Sequence, residues 1–195
     1  MEINETLKIL NLGLVQDYAF CKGMEARNNF RYLNFFETCI YVKTIQSDLI
    51  ISSNNLNKNN NEIENKFYAR IIALTIYEYF NDINVILGKT LIDELKRIDF
   101  SDFIIPLNDI GKEINQLKKN RTSFFKEIRH ETIAHKNKVK TKLLEQIFNI
   151  DDRDILDISI ELIKINTKLT NVFTDISKKI SKYHSENGEL KNLRY

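Results

Sequence analysis

Arg129 and His135 stand six positions apart in the segment Phe124-Phe125-Lys126-Glu127-Ile128-Arg129-His130-Glu131-Thr132-Ile133-Ala134-His135. Arginine carries a fixed charge on a planar fork of donors that can clamp a phosphate, and histidine exchanges protons near neutral pH. One group to hold developing negative charge and one to move a proton are sufficient, in principle, to break a phosphodiester without a metal.

The pair sits in a basic zone. Between Lys112 and Lys142 there are ten basic residues against three acidic ones, a local charge of +7 in a chain of net +2, so the remainder carries −5. A zone of this kind suits a polyanion, and equally a solvated helix face. The candidate substrate-binding cations are Lys118, Lys119, Arg121, Lys126 and Lys136, with His130 a polar neighbour of the arginine.

The elements that must position these residues read as helices. Five glycines and one proline in 195 residues leave few turn formers, while apolar residues recur every three or four positions. Helices are expected over Glu5–Lys22 and Asn28–Ile51, then a loop over Ser52–Asn61 (SSNNLNKNNN), then a helix from Glu62 to Leu87 with an aromatic stripe of Phe67, Tyr77 and Phe80. Gly88 ends that helix, and a short one follows over Thr90–Ile98. After an irregular stretch around Pro106, Asn108 or Asp109 caps a long helix reaching about Lys136, buried along Ile110, Ile114, Leu117, Phe124, Phe125, Ile128 and Thr132. Asp151 and Asp152 open a last helix to about His184, and 185–195 form a polar tail. The expected fold class is all-α, in a single domain spanning 1–195.

On a straight helix six residues put Arg129 about 120° around from His135 and about 9 Å away along the axis, so the two cannot grip one atom unaided. A second copy of the helix across a two-fold axis would bring both into one cleft, which makes a homodimer the expected assembly. Glu131, one turn before His135, has the spacing to orient its ring or to share a metal with it. Only three histidines exist, however, and no second carboxylate–histidine pair completes a bundle metal site, so no metal is expected. The chain lacks the glycine-rich turns of serine-hydrolase elbows and of nucleotide-binding loops, and no cofactor is implied. Cys21 and Cys39 lie in no metal or redox motif. The acidic opening Met1-Glu2-Ile3-Asn4-Glu5 and the charge-broken apolar runs point to a soluble, cytoplasmic protein without membrane attachment.

Arg129, the polar His130 and His135 resemble the signature of the HEPN superfamily (higher eukaryotes and prokaryotes nucleotide-binding), an arginine and a polar residue followed by a histidine late in a long helix. The flanking Phe124–Ile128, Ala134 and a preceding bulky helix of the Tyr68–Phe80 kind are similar too. The resemblance covers about 62–184, with additional helices before it. It implies a helical bundle acting as a dimeric, metal-independent endoribonuclease of a bacterial defence or toxin–antitoxin system, with RNA as substrate and an antitoxin protein as a further partner. In that setting Arg129 stabilises charge on the scissile phosphate, His135 acts as general base or acid, and His130 orients the phosphate. Asn137 stands where some relatives carry a tyrosine that accepts AMP. The family also implies an alternative, a catalytically inactive dimer that binds RNA, a nucleotide or a protein.

Overall fold

Apolar residues at helical spacing carry the chain through seven α-helices and no strand among the residues that the computed structural model describes: 3–58, 61–130, 132 and 140–186. The helices are α1 (Ile3–Ala26), α2 (Leu33–Lys58), α3 (Glu62–Ile86), α4 (Lys89–Arg97), α5 (Ile104–Arg129), α6 (Lys140–Phe148) and α7 (Asp152–Glu186), with one 3-10 turn at Ser101–Phe103. The fold is all-α, as expected. Among the described residues no helix is long and apolar enough to cross a membrane.

Helices α2, α3, α5 and α7 form an up-down-up-down bundle in which α2 and α5 each pack on both α3 and α7. Polar bonds across the core set the register. Gln46 Nε2 donates to Thr167 Oγ1 at 3.1 Å and the hydroxyls of Ser53 and Ser159 meet at 2.7 Å, so residue numbers rise along α2 as they fall along α7. The buried Tyr79 hydroxyl reaches Asn166 Oδ1 at 2.6 Å, tying α3 to α7. Around these bonds the largest buried side chains interlock, Phe35 edge-on to Phe173 and Phe80 edge-on to Phe125.

Helix α1 lies outside the bundle, against α2. Asp17 is buried on that face and pairs with Lys43 Nζ at 2.6 Å. Gly13 makes room for the crossing lysine, since a Cβ there would stand 2.9 Å from Lys43 Nζ. At the bundle's end α4 supplies Glu94, whose buried carboxylate accepts from the Phe35 backbone N–H at 2.9 Å and so satisfies an orphan donor in the first turn of α2.

Several boundaries differ from the sequence expectation. The asparagine-rich stretch after Ile51 is helical as far as Lys58, because Ser52, Ser53 and Leu56 occupy the buried face of α2 and tertiary packing overrides weak local propensity. Asn61 then caps α3, its Oδ1 accepting from the backbone N–H groups of Ile63 and Glu64. Phe67 is about half exposed, and the α3 face that enters the core is Ala69, Ile72, Ala73, Ile76, Tyr79, Phe80 and Ile83. Pro106 falls in the first turn of α5, where its missing N–H leaves no bond unmade, so that helix begins at Ile104 instead of near Asn108. Helix α6, over Lys140–Phe148, has no counterpart among the helices expected from the sequence. Asp151 caps α7 as its position suggested, accepting from Arg153 and Asp154 N–H groups.

Candidate nucleic-acid interface

Helix α5 is buried along Leu107, Ile110, Ile114, Leu117, Phe125 and Ile128, and this apolar series determines which of its polar residues face outward. Opposite it, at 100° per residue, Lys112, Lys119, Lys126 and His130 fall within about 40° of one another and extend over about 27 Å of helix axis. All four are exposed. Between and beside them come Asn108, Asn115, Gln116 and Ser123, uncharged and also exposed. Of the acids of this helix, Glu113 pairs with Lys168 of α7 at 2.6 Å and Glu127 lines a cavity beside α6. The crest is therefore a line of cations and hydrogen-bonding groups, with Lys112 also bonded to Asp109 at 2.7 Å.

Arg129, the last residue of α5, turns toward α3. Its Nε donates to Glu78 Oε1 at 2.9 Å and its guanidinium lies over the Tyr77 ring, 5.1 Å from the centroid. The side chain is about one-third exposed. With Nε held by Glu78 and one face on Tyr77, the edge carrying the terminal nitrogens is the one that matches a phosphate. Past Arg129 the backbone widens into a π-helical turn at His130 and Thr132. Thr132 is buried and its hydroxyl donates to the Ile128 carbonyl at 2.7 Å. A π turn inserts extra backbone per revolution and is common at functional sites.

The structure thus brings Arg129, His130 and Lys126 to one end of α5 and places Lys119 on the same outward crest. It separates Lys118 and Arg121 from them: Lys118 Nζ donates to the Phe80 carbonyl, and Arg121 Nη1 pairs with Asp154 Oδ2 at 3.4 Å, so both tie α5 to its neighbours. His135, Lys136 and the Glu131–His135 spacing lie outside the described residues. Among the described residues no group of three or more His, Cys, Asp or Glu side chains is placed to share a metal ion. Cys21 and Cys39 are free, buried thiols, and burial followed by nearby carboxylates pushes Cys21 up to about 11.

Three residues of α3 escaped sequence reasoning. Tyr77 and Glu78 seat Arg129, and Arg70, one helical face with them, directs Nη1 to the Thr132 carbonyl at 3.5 Å while its Nε donates to Lys66 O. Their signal was the recurrence of polar groups at Arg70 and Glu78 on the side of α3 away from Ile72, Ala73 and Ile76. A cavity of about 230 Å³ between the end of α5 and α6, lined by Phe124, Ile128, Thr132, Gln146 and Asn149 among others, opens on the other side of α5 from Arg129. Compared with protein-family models, curated proteins and solved structures, the chain matches none.

Proposed function

We propose that this protein is a metal-independent endoribonuclease of the HEPN type, working as a homodimer in a bacterial defence or toxin–antitoxin setting. The observation that carries the reading is the placement of Arg129: half-buried, oriented by Glu78 and Tyr77, and standing at the end of a crest of exposed polar and basic side chains, six positions before the histidine of the motif in the sequence. In the reaction the 2′-hydroxyl attacks the adjacent phosphorus and gives up its proton, with His135 as base or acid. The bond from phosphorus to the 5′-oxygen breaks, and that oxygen leaves with a proton. The products are a 2′,3′-cyclic phosphate and a 5′-hydroxyl. Arg129 offsets the charge that grows on the phosphoryl oxygens.

The expected result is cleavage of single-stranded RNA in the presence of EDTA, with 2′,3′-cyclic phosphate ends identified by mass spectrometry. Activity that disappears with EDTA and returns with a divalent cation would overturn this reading. One observation favours the second reading, a silent RNA-binding dimer: the Glu78 carboxylate already neutralises Arg129. On that reading purified dimer binds RNA yet leaves it intact, and Glu78→Gln does not start cleavage.

Binding should depend on the exposed crest and not on the cations that tie helices together. Exchanging Lys119 and Lys126 for glutamate is expected to weaken binding to single-stranded RNA and to make its salt dependence shallower, by roughly 0.7 in log–log slope for each phosphate that is no longer neutralised. Anisotropy titrations at several salt concentrations measure both. An unchanged slope would place the strand elsewhere on the molecule.

A further inference from the structure

At the opposite end of the crest from Arg129, the carboxyl end of α3 and the start of α5 enclose a cleft of about 360 Å³. Its floor is apolar, formed by Ile83, Leu87 and Leu107, of which Ile83 and Leu107 are almost fully buried. Its rim is made of amides, Asn84 from α3 and Asn108 and Asn115 from α5, with Lys112 beside them. Gly111 forms the wall between. A Cβ on Gly111 would meet nothing within 4 Å, and the residue lies inside an α-helix, where glycine is less stable than alanine. No close approach within the protein calls for a glycine there. Its missing side chain leaves the space of the cleft unfilled.

We propose that this cleft is a nucleobase pocket. A flat, apolar face with hydrogen-bonding groups only on its edge is the chemistry of a purine or pyrimidine, and the cleft offers its counterpart, an aliphatic floor with three carboxamide side chains on its rim. A carboxamide presents one donor and one acceptor and can pair two-point with the N6/N7 edge of adenine. Lys112, on the same rim, supplies the charge for the phosphate of the same nucleotide on exchanging its bond to Asp109. The cleft opens on the α3 side of the crest, the side to which Arg129 also turns, and the intervening Lys119 and Lys126 form a path between them. An RNA strand seated by one base near Gly111 would thus reach Arg129 by following α5, over about 27 Å of axis. The pocket would fix which phosphate arrives at the arginine. This last step rests on the ribonuclease reading; the pocket itself does not.

The test is binding, kept apart from cleavage. Fluorescein-labelled octaadenylate and an abasic octamer of the same length are titrated into the full-length protein and into Gly111→Leu, with AMP as a competitor. Wild type is expected to prefer the octaadenylate by about tenfold, the order expected of one seated base. Gly111→Leu fills the cleft from a wall where nothing stands in the way, so it should lose that preference while keeping the weaker, salt-sensitive binding of the abasic strand. Competition by AMP in wild type but not in Gly111→Leu would show that a free nucleotide uses the same pocket; preference without AMP competition would assign it to a strand. Side-chain amide signals of Asn84, Asn108 and Asn115 should shift with octaadenylate in wild type, which keeps the question answerable if Gly111→Leu does not fold. Equal affinity for the two octamers, or a preference that survives in folded Gly111→Leu, would overturn the proposal. Base preference without RNA cleavage would defeat the ribonuclease reading alone, and cleavage without base preference would defeat the pocket alone.

Discussion

RNA cleavage by His135→Ala is expected to fall by about 10²- to 10⁴-fold, the usual worth of proton transfer by a positioned side chain. Arg129→Ala should lose about 10²- to 10³-fold, as removal of one donor to a developing oxyanion does. The two losses should have different chemistry behind them. Arg129→Lys keeps the charge but lacks the planar fork, so it should recover only part of the rate. His135→Ala should flatten the pH dependence of the remaining cleavage, whereas Arg129→Ala should lower the whole profile without changing its shape. Glu78 is a positioning residue in this scheme: Glu78→Gln should mainly lower kcat, because the guanidinium loses the anchor that aims it. The Arg129–Glu78 pair is partly exposed, and such pairs contribute about 0–1 kcal/mol, so both Arg129 variants should remain folded by circular dichroism. Full activity in either alanine variant would remove the motif from the mechanism.

How much of this could be read from the chain differs between scaffold and site. The buried series of α5 from Ile110 to Ile128 follows directly from 3.6-residue spacing, as does the all-helical class, because burial of an amphipathic face is a local pattern. The continuation of α2 through Ser52, Ser53 and Leu56 was hidden, since what holds polar residues in a helix there is the Ser159 hydroxyl more than a hundred positions away. The π turn at His130 and Thr132 was hidden for a different reason: it breaks the period on which the reading depends. Charge counting pointed to α5 but could not separate Lys118 and Arg121, which bond to Phe80 and Asp154, from Lys119 and Lys126 on the crest. The distinction is angular, and it becomes visible only once the buried face of α5 is known. Tyr77 and Glu78, which seat Arg129, sit some fifty residues upstream, where a tyrosine beside a glutamate carries no signature.

The largest effect on stability should come from the pair beneath α1. Asp17 is only 4 % exposed and its carboxylate meets Lys43 at 2.6 Å, so Lys43→Met leaves a buried charge with no partner and should cost about 3–5 kcal/mol. Burial already holds the Asp17 carboxyl above its ordinary range, against the opposing hydrogen bond and attraction of Lys43; without the lysine it must rise further. A carboxyl whose folded pKa exceeds its unfolded one holds its proton more tightly in the folded state. Its penalty is therefore absent below the unfolded value, near about 4, grows as pH rises through the interval up to the folded pKa, and is complete above it. Urea unfolding of Lys43→Met should accordingly show a deficit against wild type that is largest at neutral pH and shrinks as pH is lowered into the carboxylate range. The double variant Asp17→Leu/Lys43→Met should recover most of the loss at every pH, since a matched apolar pair removes both the stranded charge and its desolvation. A deficit that does not change with pH, or a double variant no more stable than the single one, would mean that Lys43 supports α1 through packing over Gly13 and not through its charge.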